Sequence, residues 1–118
     1  MKQYSYIFLK RGLIPEQVAI QAAHAAMTLA QELEVRGIAY FPSELHYVMT
    51  PMSVPSSDLV DELDSLNCGF VEYWDYEYTF VDGKLTQSDS MICTAIMTYP
   101  IEESERRWLT MLPLYRIK

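Results

Sequence analysis

The sequence predicts an α/β sandwich on a mixed sheet. Three observations lead there. Strand-like apolar segments alternate with segments of helical period, in the order β-α-β-α-β-β-α. The 118 residues suit one domain, 1–118, rather than two. Half of them are hydrophobic, which permits a proper core and argues against intrinsic disorder.

The elements follow in order. "YSYIFLK" (4–10) is aromatic and β-branched, and reads as a first strand. "RGLIP" breaks that pattern, Pro15 suits the first turn of a helix and Gly37 the residue past its end, so a helix is expected over 15–36. "HYVMTPMS" (46–53) reads as a second strand, with Pro51 marking its end or a sheet edge. Residues 54–67 form a short amphipathic helix; Ser56 or Ser57 is the expected cap, with Asp58, Asp61 and Glu62 near its positive end. "GFVEYWDYEYTFV" (69–81) reads as strand, and Asp82-Gly83 between apolar runs signals a hairpin turn, so 76–88 is expected to form a small extra ribbon. "SMICTAIMTYP" (90–100) is nearly continuously apolar, as a strand in the middle of a covered sheet would be. Residues 101–115 read as a last helix ended by Pro113, with Arg106 and Arg107 balanced by Glu102, Glu103 and Glu105.

Charge narrows the function. A net charge of −7 argues against generic nucleic-acid binding, which needs a lysine and arginine excess. The basic residues are relatively concentrated early: residues 1–40 hold four basic and three acidic side chains, the rest five and thirteen. An anion-binding surface should therefore use the N-terminal third or backbone dipoles. Lys10 and Arg11 stand out, because they precede a helix start, where anions are attracted; the competing reading is a solvated charge pair. Cys68 and Cys93 lack metal-ligand spacing and read as buried free thiols of a reducing cytoplasm, with a disulfide or a nucleophile as the less favoured readings. His24 and His46 show no ligand spacing, so no metal is expected. Neither a phosphate loop nor a nucleophile elbow is present, and no cofactor is implied. No secretory signal is visible, and the uncharged run 17–31 is broken by Gln17, Gln21, His24 and Gln31, so no membrane span and a cytoplasmic location are expected.

That run is nonetheless unusual. On a helix, Val18, Ala22, Ala25, Leu29 and Leu33 share a core-facing side. Gln17, Gln21, His24, Thr28 and Gln31 form a polar stripe, and Ile20, Ala23, Met27 and Ala30 a third, apolar side open to another helix or subunit. Uncharged amides cost less to desolvate than charges and are costly only when unpaired. The stripe therefore reads either as a surface covered by the chain itself or as a ligand or subunit interface.

The run Gln17-Val18-Ala19-Ile20-Gln21-Ala22-Ala23-His24-Ala25 resembles the helical motif of the type II peptidyl-tRNA hydrolases: lysine, aliphatic, Ala, any, Gln, any, any, His, Ala. Length and element order match over most of the chain. The resemblance implies a three-layer sandwich, a four-stranded mixed sheet with helices on both faces, commonly dimeric. It also places the family's active lysine on Gln17, which cannot titrate, and its aspartate and threonine near Asp75 and Thr79, while the family's Ala-Gly turn is Tyr76-Glu77 here. A later hydroxyl position falls near Ser90. Ester hydrolysis needs an activated nucleophile and a stabilised oxyanion. Without the lysine, the expectation is a retained fold and a lost hydrolase activity.

Three functions are weighed. The favoured one is a non-catalytic homo-oligomer that sequesters a small anionic ligand with a base, a nucleotide or cyclic dinucleotide, in the manner of small viral sponge proteins for nucleotide immune signals. Its expected site is Lys10, Arg11, Gln17, Gln21, His24 and Tyr73; Tyr73 or a hairpin tyrosine is the candidate to stack on the base, against the favoured reading of core packing for any single ring. The second is a divergent peptidyl-tRNA hydrolase using His24, Asp75 and Thr79, although the acidic charge suits tRNA badly. The third is a protein–protein interaction module.

Overall fold

The computed structural model of the chain describes residues 2–40 and 42–105. Strand β1 (Gln3–Leu9) pairs in parallel with β2 (Leu45–Pro51), which follows helix α1 (Pro15–Val35). Helix α2 (Ser56–Ser65) leads to β3 (Phe70–Asp75), then come the short strands β4 (Tyr78–Val81) and β5 (Lys84–Gln87), and β6 (Ile92–Thr98) inserts antiparallel between β1 and β3. The sheet order is β2-β1-β6-β3, and β7 (Ile101–Glu102) pairs with the start of β1. The architecture is thus mixed α/β with a mixed sheet and, among the described residues, two α-helices.

The side chains of β1 divide the core. Ile7 and Leu9 join Val18, Ala25, Leu29 and Leu33 of α1 in one cluster, whereas Tyr6 and Phe8 join Leu59 and Leu63 of α2 in another. Alternation along a strand sends neighbours to opposite faces. β1 therefore needs apolar residues on both faces, which explains its unbroken "YIFL". β6 is buried throughout Cys93–Thr98, as its apolar run predicts.

Both helices end on left-handed residues. Ile38 N–H donates to Leu33 O and Gly37 N–H to Glu34 O, with Gly37 at φ +66°. Cys68 N–H and Asn67 N–H repeat the pattern on Leu63 O and Asp64 O, with Asn67 at φ +54°. These paired bonds satisfy the last carbonyls of each helix. Asp82 and Gly83 have φ values of +51° and +77°, as a two-residue hairpin turn between β4 and β5 requires. The hairpin spans 78–87 and, among the described residues, pairs with no other strand.

Three expectations are corrected. The strand expected over 69–81 is interrupted at Tyr76-Glu77, because the hairpin leaves the sheet there, and the register already shifts between Tyr73 and Trp74. Val71 and Tyr73 pack with the α1 cluster, and Trp74, beyond the register shift, is 49% exposed. Neither Ser56 nor Ser57 caps α2 through its side chain; the cap position is Pro55. The start of the expected last helix is instead β7 and a short 3₁₀ turn at Glu103–Glu105, since Ile101 and Glu102 complete the ladder on β1. The remainder of that expected helix, with Arg106 and Arg107, lies outside the described residues.

The β6–β7 junction is tightly fitted. Pro100 has no N–H to offer the ladder. Thr98 fills the gap with its side chain: its Oγ1 accepts from Tyr6 N–H at 2.9 Å, and its carbonyl accepts from Ser5 Oγ at 2.6 Å. Tyr99 N–H donates to Gly69 O at 2.8 Å, and the Tyr99 ring lies against Gly69, where a Cβ would stand 2.5 Å from Cδ2 and 2.9 Å from Cγ. Because the clash includes Cγ, turning the ring about its own axis cannot relieve it; the whole Tyr99 side chain must leave its present χ1 position or the backbone must shift. Gly69→Ala is expected to cost about 1–3 kcal/mol of stability in urea denaturation; an unchanged midpoint would show that the junction is looser than its geometry.

Candidate functional site

The polar stripe of α1 meets the end of β3. Gln17 is 4% exposed, and both ends of its amide are used: Nε2 donates to Tyr76 O at 2.6 Å, and Oε1 accepts from Tyr78 N–H at 3.1 Å. The amide thus pairs with the interrupted strand much as a neighbouring peptide would, at the point where β3 becomes β4. Gln21, 1% exposed, donates to Asp75 Oδ2 at 3.0 Å and accepts from Thr94 Oγ1 at 2.7 Å. The other oxygen of Asp75 accepts from Tyr76 N–H at 2.7 Å. Buried polar groups of this kind are tolerated because each has a partner.

One turn further on, His24 Nδ1 and Tyr73 OH are 2.7 Å apart, and the two rings are tilted against each other. The Tyr73 pKa is raised, by desolvation first and by the Asp75 carboxylate second. The phenol therefore keeps its proton, and which group donates across this contact is set by the His24 tautomer. Thr28 Oγ1 turns back onto His24 O at 2.8 Å within the helix. Thr79 lies on exposed β4, opposite Thr86, and Ser90 is exposed beyond β5, its carbonyl accepting from Ser88 Oγ.

Lys10 and Arg11 sit elsewhere. They line a pocket of about 460 Å³ completed by residues 52–56, between β2 and α2, and by Ile92 and Cys93 at the start of β6. The sequence associates the basic pair with the start of α1; the structure adds the start of α2. The reason is topological. β1 and β2 run in parallel, so both ends that launch helices lie at one edge of the sheet, the place where ligands bind in open α/β sheets. Pro55 holds the cap position of α2 with no side-chain cap; the Asp58 N–H donates back to Pro55 O at 3.0 Å, and the Asp58 carboxylate lies in the same first turn. Arg11 Nε donates to Met52 O at 2.8 Å, which orients the guanidinium across the mouth. Met52, Val54 and Ile92 add apolar lining, and Ser53 and Ser56 hydroxyls. Nothing in the sequence marks Ser53, Ser56 and Cys93 as lining residues; the cap expected at Ser56 or Ser57 falls in the same turn.

The two groups meet through one contact. Lys10 Nζ lies 3.0 and 3.2 Å from the carboxylate oxygens of Glu77, the residue between Tyr76 and Tyr78. The six residues expected to bind a ligand therefore fall into a pocket pair, Lys10 and Arg11, and an α1–β3 cluster of Gln17, Gln21, His24 and Tyr73. An apolar crevice of about 200 Å³ flanks that cluster, walled by Ile14, Ile20, Tyr78 and Leu85. The third side of α1 is open, with Ile20 51% and Met27 61% exposed.

Both cysteines are free, Cys93 buried and Cys68 half-buried, and their environment favours the protonated thiol. Burial pushes Cys68 up to about 11. It does the same for Cys93, also to about 11, with the charge of Glu72 as a second cause. Among the described residues there is no cluster of three or more His, Cys, Asp or Glu able to hold a metal, and no helix is long and apolar enough to cross a membrane. Comparison with models of known protein families gives no match, and comparison with curated proteins gives none either.

Proposed function

We propose that the chain is a non-catalytic binding protein for a small, multiply charged anion carrying a base, a nucleotide or cyclic dinucleotide, on a three-layer fold like that of the type II peptidyl-tRNA hydrolases. The observation that carries this reading is the convergence of Lys10, Arg11 and the uncapped first turn of α2 on one pocket of about 460 Å³. Two cations and a helix N-terminus favour phosphate. The volume falls within the range of small-molecule sites, and Met52, Val54 and Ile92 offer a base an apolar wall. The saturated Gln17 amide, standing where the resembled family has its lysine, supports the absence of catalysis.

The decisive measurement is titration calorimetry against a panel of nucleotides and cyclic dinucleotides. Arg11→Ala is expected to weaken the binding about 10- to 100-fold, in line with loss of a charge-assisted hydrogen bond. Added salt should weaken it further. A folded protein that binds no member of the panel overturns the reading.

A second reading, a divergent peptidyl-tRNA hydrolase, draws support from the His24–Tyr73 hydrogen bond beside Asp75. Release of free tRNA from peptidyl-tRNA, lost in Asp75→Ala, would favour it over the first. Assembly as a homo-oligomer belongs to the proposal as well, supported by the open side of α1 and the exposed Phe80 and Leu85 of the hairpin; native mass spectrometry that reports only monomer counts against it.

A further inference from the structure

We infer that Lys10 is a cation shared between the pocket and the β4–β5 hairpin, so that a phosphate anion entering the pocket draws the ammonium off Glu77 and loosens the hairpin. This rests on the anion-binding reading above and adds a response to it.

The hairpin depends on anchors at its root. Its two strands have four residues each, are exposed but for the half-buried Tyr78, and among the described residues pair only with each other. Such ribbons are marginal in water on their own. Three attachments hold the root. The Gln17 amide grips Tyr76 O and Tyr78 N–H. Ser88 closes the open end, its N–H donating to Glu77 O at 2.8 Å and its Oγ accepting from Glu77 N–H at 2.9 Å. The third is the Lys10–Glu77 ion pair, which ties that closed end to the residue after β1. Of the three, this last alone uses a group that also lines the pocket.

The pair is suited to exchange. The Lys10 and Glu77 side chains are 36% and 17% exposed, so water screens the attraction in part and does not abolish it. Lysine carries a point charge on a flexible stem, which swings between partners without the fixed fork geometry of arginine. Arg11, by contrast, is oriented by Met52 O and stays at the mouth. A phosphate with two or more negative charges outcompetes one carboxylate for the ammonium, and Glu77 is then left facing an anion. Occupancy of the pocket thereby acts on an arm that displays Phe80, Val81 and Leu85 to solvent.

The test is amide hydrogen exchange by NMR on the full chain, with and without sodium pyrophosphate. Saturation is expected to speed exchange of the amides of 78–87 about two- to fivefold, the range of a partly exposed ion pair, while β6 is unaffected. In Glu77→Gln the free protein should already show the faster rates, pyrophosphate should change them no further, and pyrophosphate should bind about two- to fivefold tighter, since coupling is reciprocal. Without ligand, Lys10→Gln, Glu77→Gln and the double variant should loosen the hairpin equally; wild-type rates in all three overturn the anchor. Pyrophosphate binding that is weakened in Arg11→Ala but leaves the wild-type hairpin rates unchanged overturns the coupling and spares the binding reading. No binding of pyrophosphate or of any nucleotide overturns both.

Discussion

Replacing Gln17 by lysine is expected to lower stability by about 2–4 kcal/mol and to confer no peptidyl-tRNA cleavage. The substitution installs the residue that the resembled helical motif carries, so intuition from the motif alone runs the other way. At this position the side chain is 4% exposed and its amide has two tasks, donating to Tyr76 O and accepting from Tyr78 N–H. An ammonium can still donate, but it cannot accept. The Tyr78 N–H loses its partner, at about 1–3 kcal/mol, and a charge is introduced where little water reaches. Asp75, which lines the same crevice, offsets part of that charge cost. Urea denaturation gives the total, and exchange at 76–78 locates it. A variant as stable as the parent would mean that the amide is incidental to the β3–β4 junction, and one that cleaves peptidyl-tRNA would reopen the catalytic reading.

Leu33→Ala is expected to cost about 2–5 kcal/mol, whereas Met27→Ala on the same helix should stay within about 0.5 kcal/mol. Leu33 is fully buried in the cluster that joins α1 to β1, β3 and β6, and truncation leaves a cavity bounded by neighbours fixed in a sheet. Met27 points from the open side and is 61% exposed. The contrast tests the division of the helix into faces independently of any ligand. Similar losses at both positions in denaturant titrations would mean that the open side is covered in solution, and protein-concentration dependence of the Met27 effect would then identify self-association as the cover.

Much of the fold is legible in the residues. Pro15 and Gly37 mark the bounds of α1 to within a residue, because a missing N–H and a left-handed φ are local requirements. Asp82-Gly83 marks the hairpin turn for the same reason. The covered position of β6 shows in its apolar run. The interruption at Tyr76-Glu77 does not show, since "YWDYEYTFV" has strand character throughout; the chain leaves the sheet there because Gln17 and Ser88, 59 residues before Tyr76 and 11 after Glu77, supply the backbone partners. The polar stripe is legible as a stripe, but whether its amides face a ligand or their own chain depends on what stands opposite.

Here the division is physical. The sequence by itself determined the elements and the sides of α1, because periodicity, proline and positive-φ residues act within a few positions of the chain. It also determined that the basic residues are relatively concentrated early, with Lys10 and Arg11 adjacent after the first strand. Only the tertiary structure decided where that charge is placed. The parallel pairing of β1 with β2 brings the residues after each strand to one edge, and so seats Lys10 and Arg11 beside the first turn of α2, more than forty residues away along the chain. The same folding spends the amides of Gln17 and Gln21 on Tyr76, Tyr78, Asp75 and Thr94. Hydrogen bonds are short-ranged and directional, so which partner a buried amide takes is settled by the approach of distant segments and by nothing in its own neighbourhood.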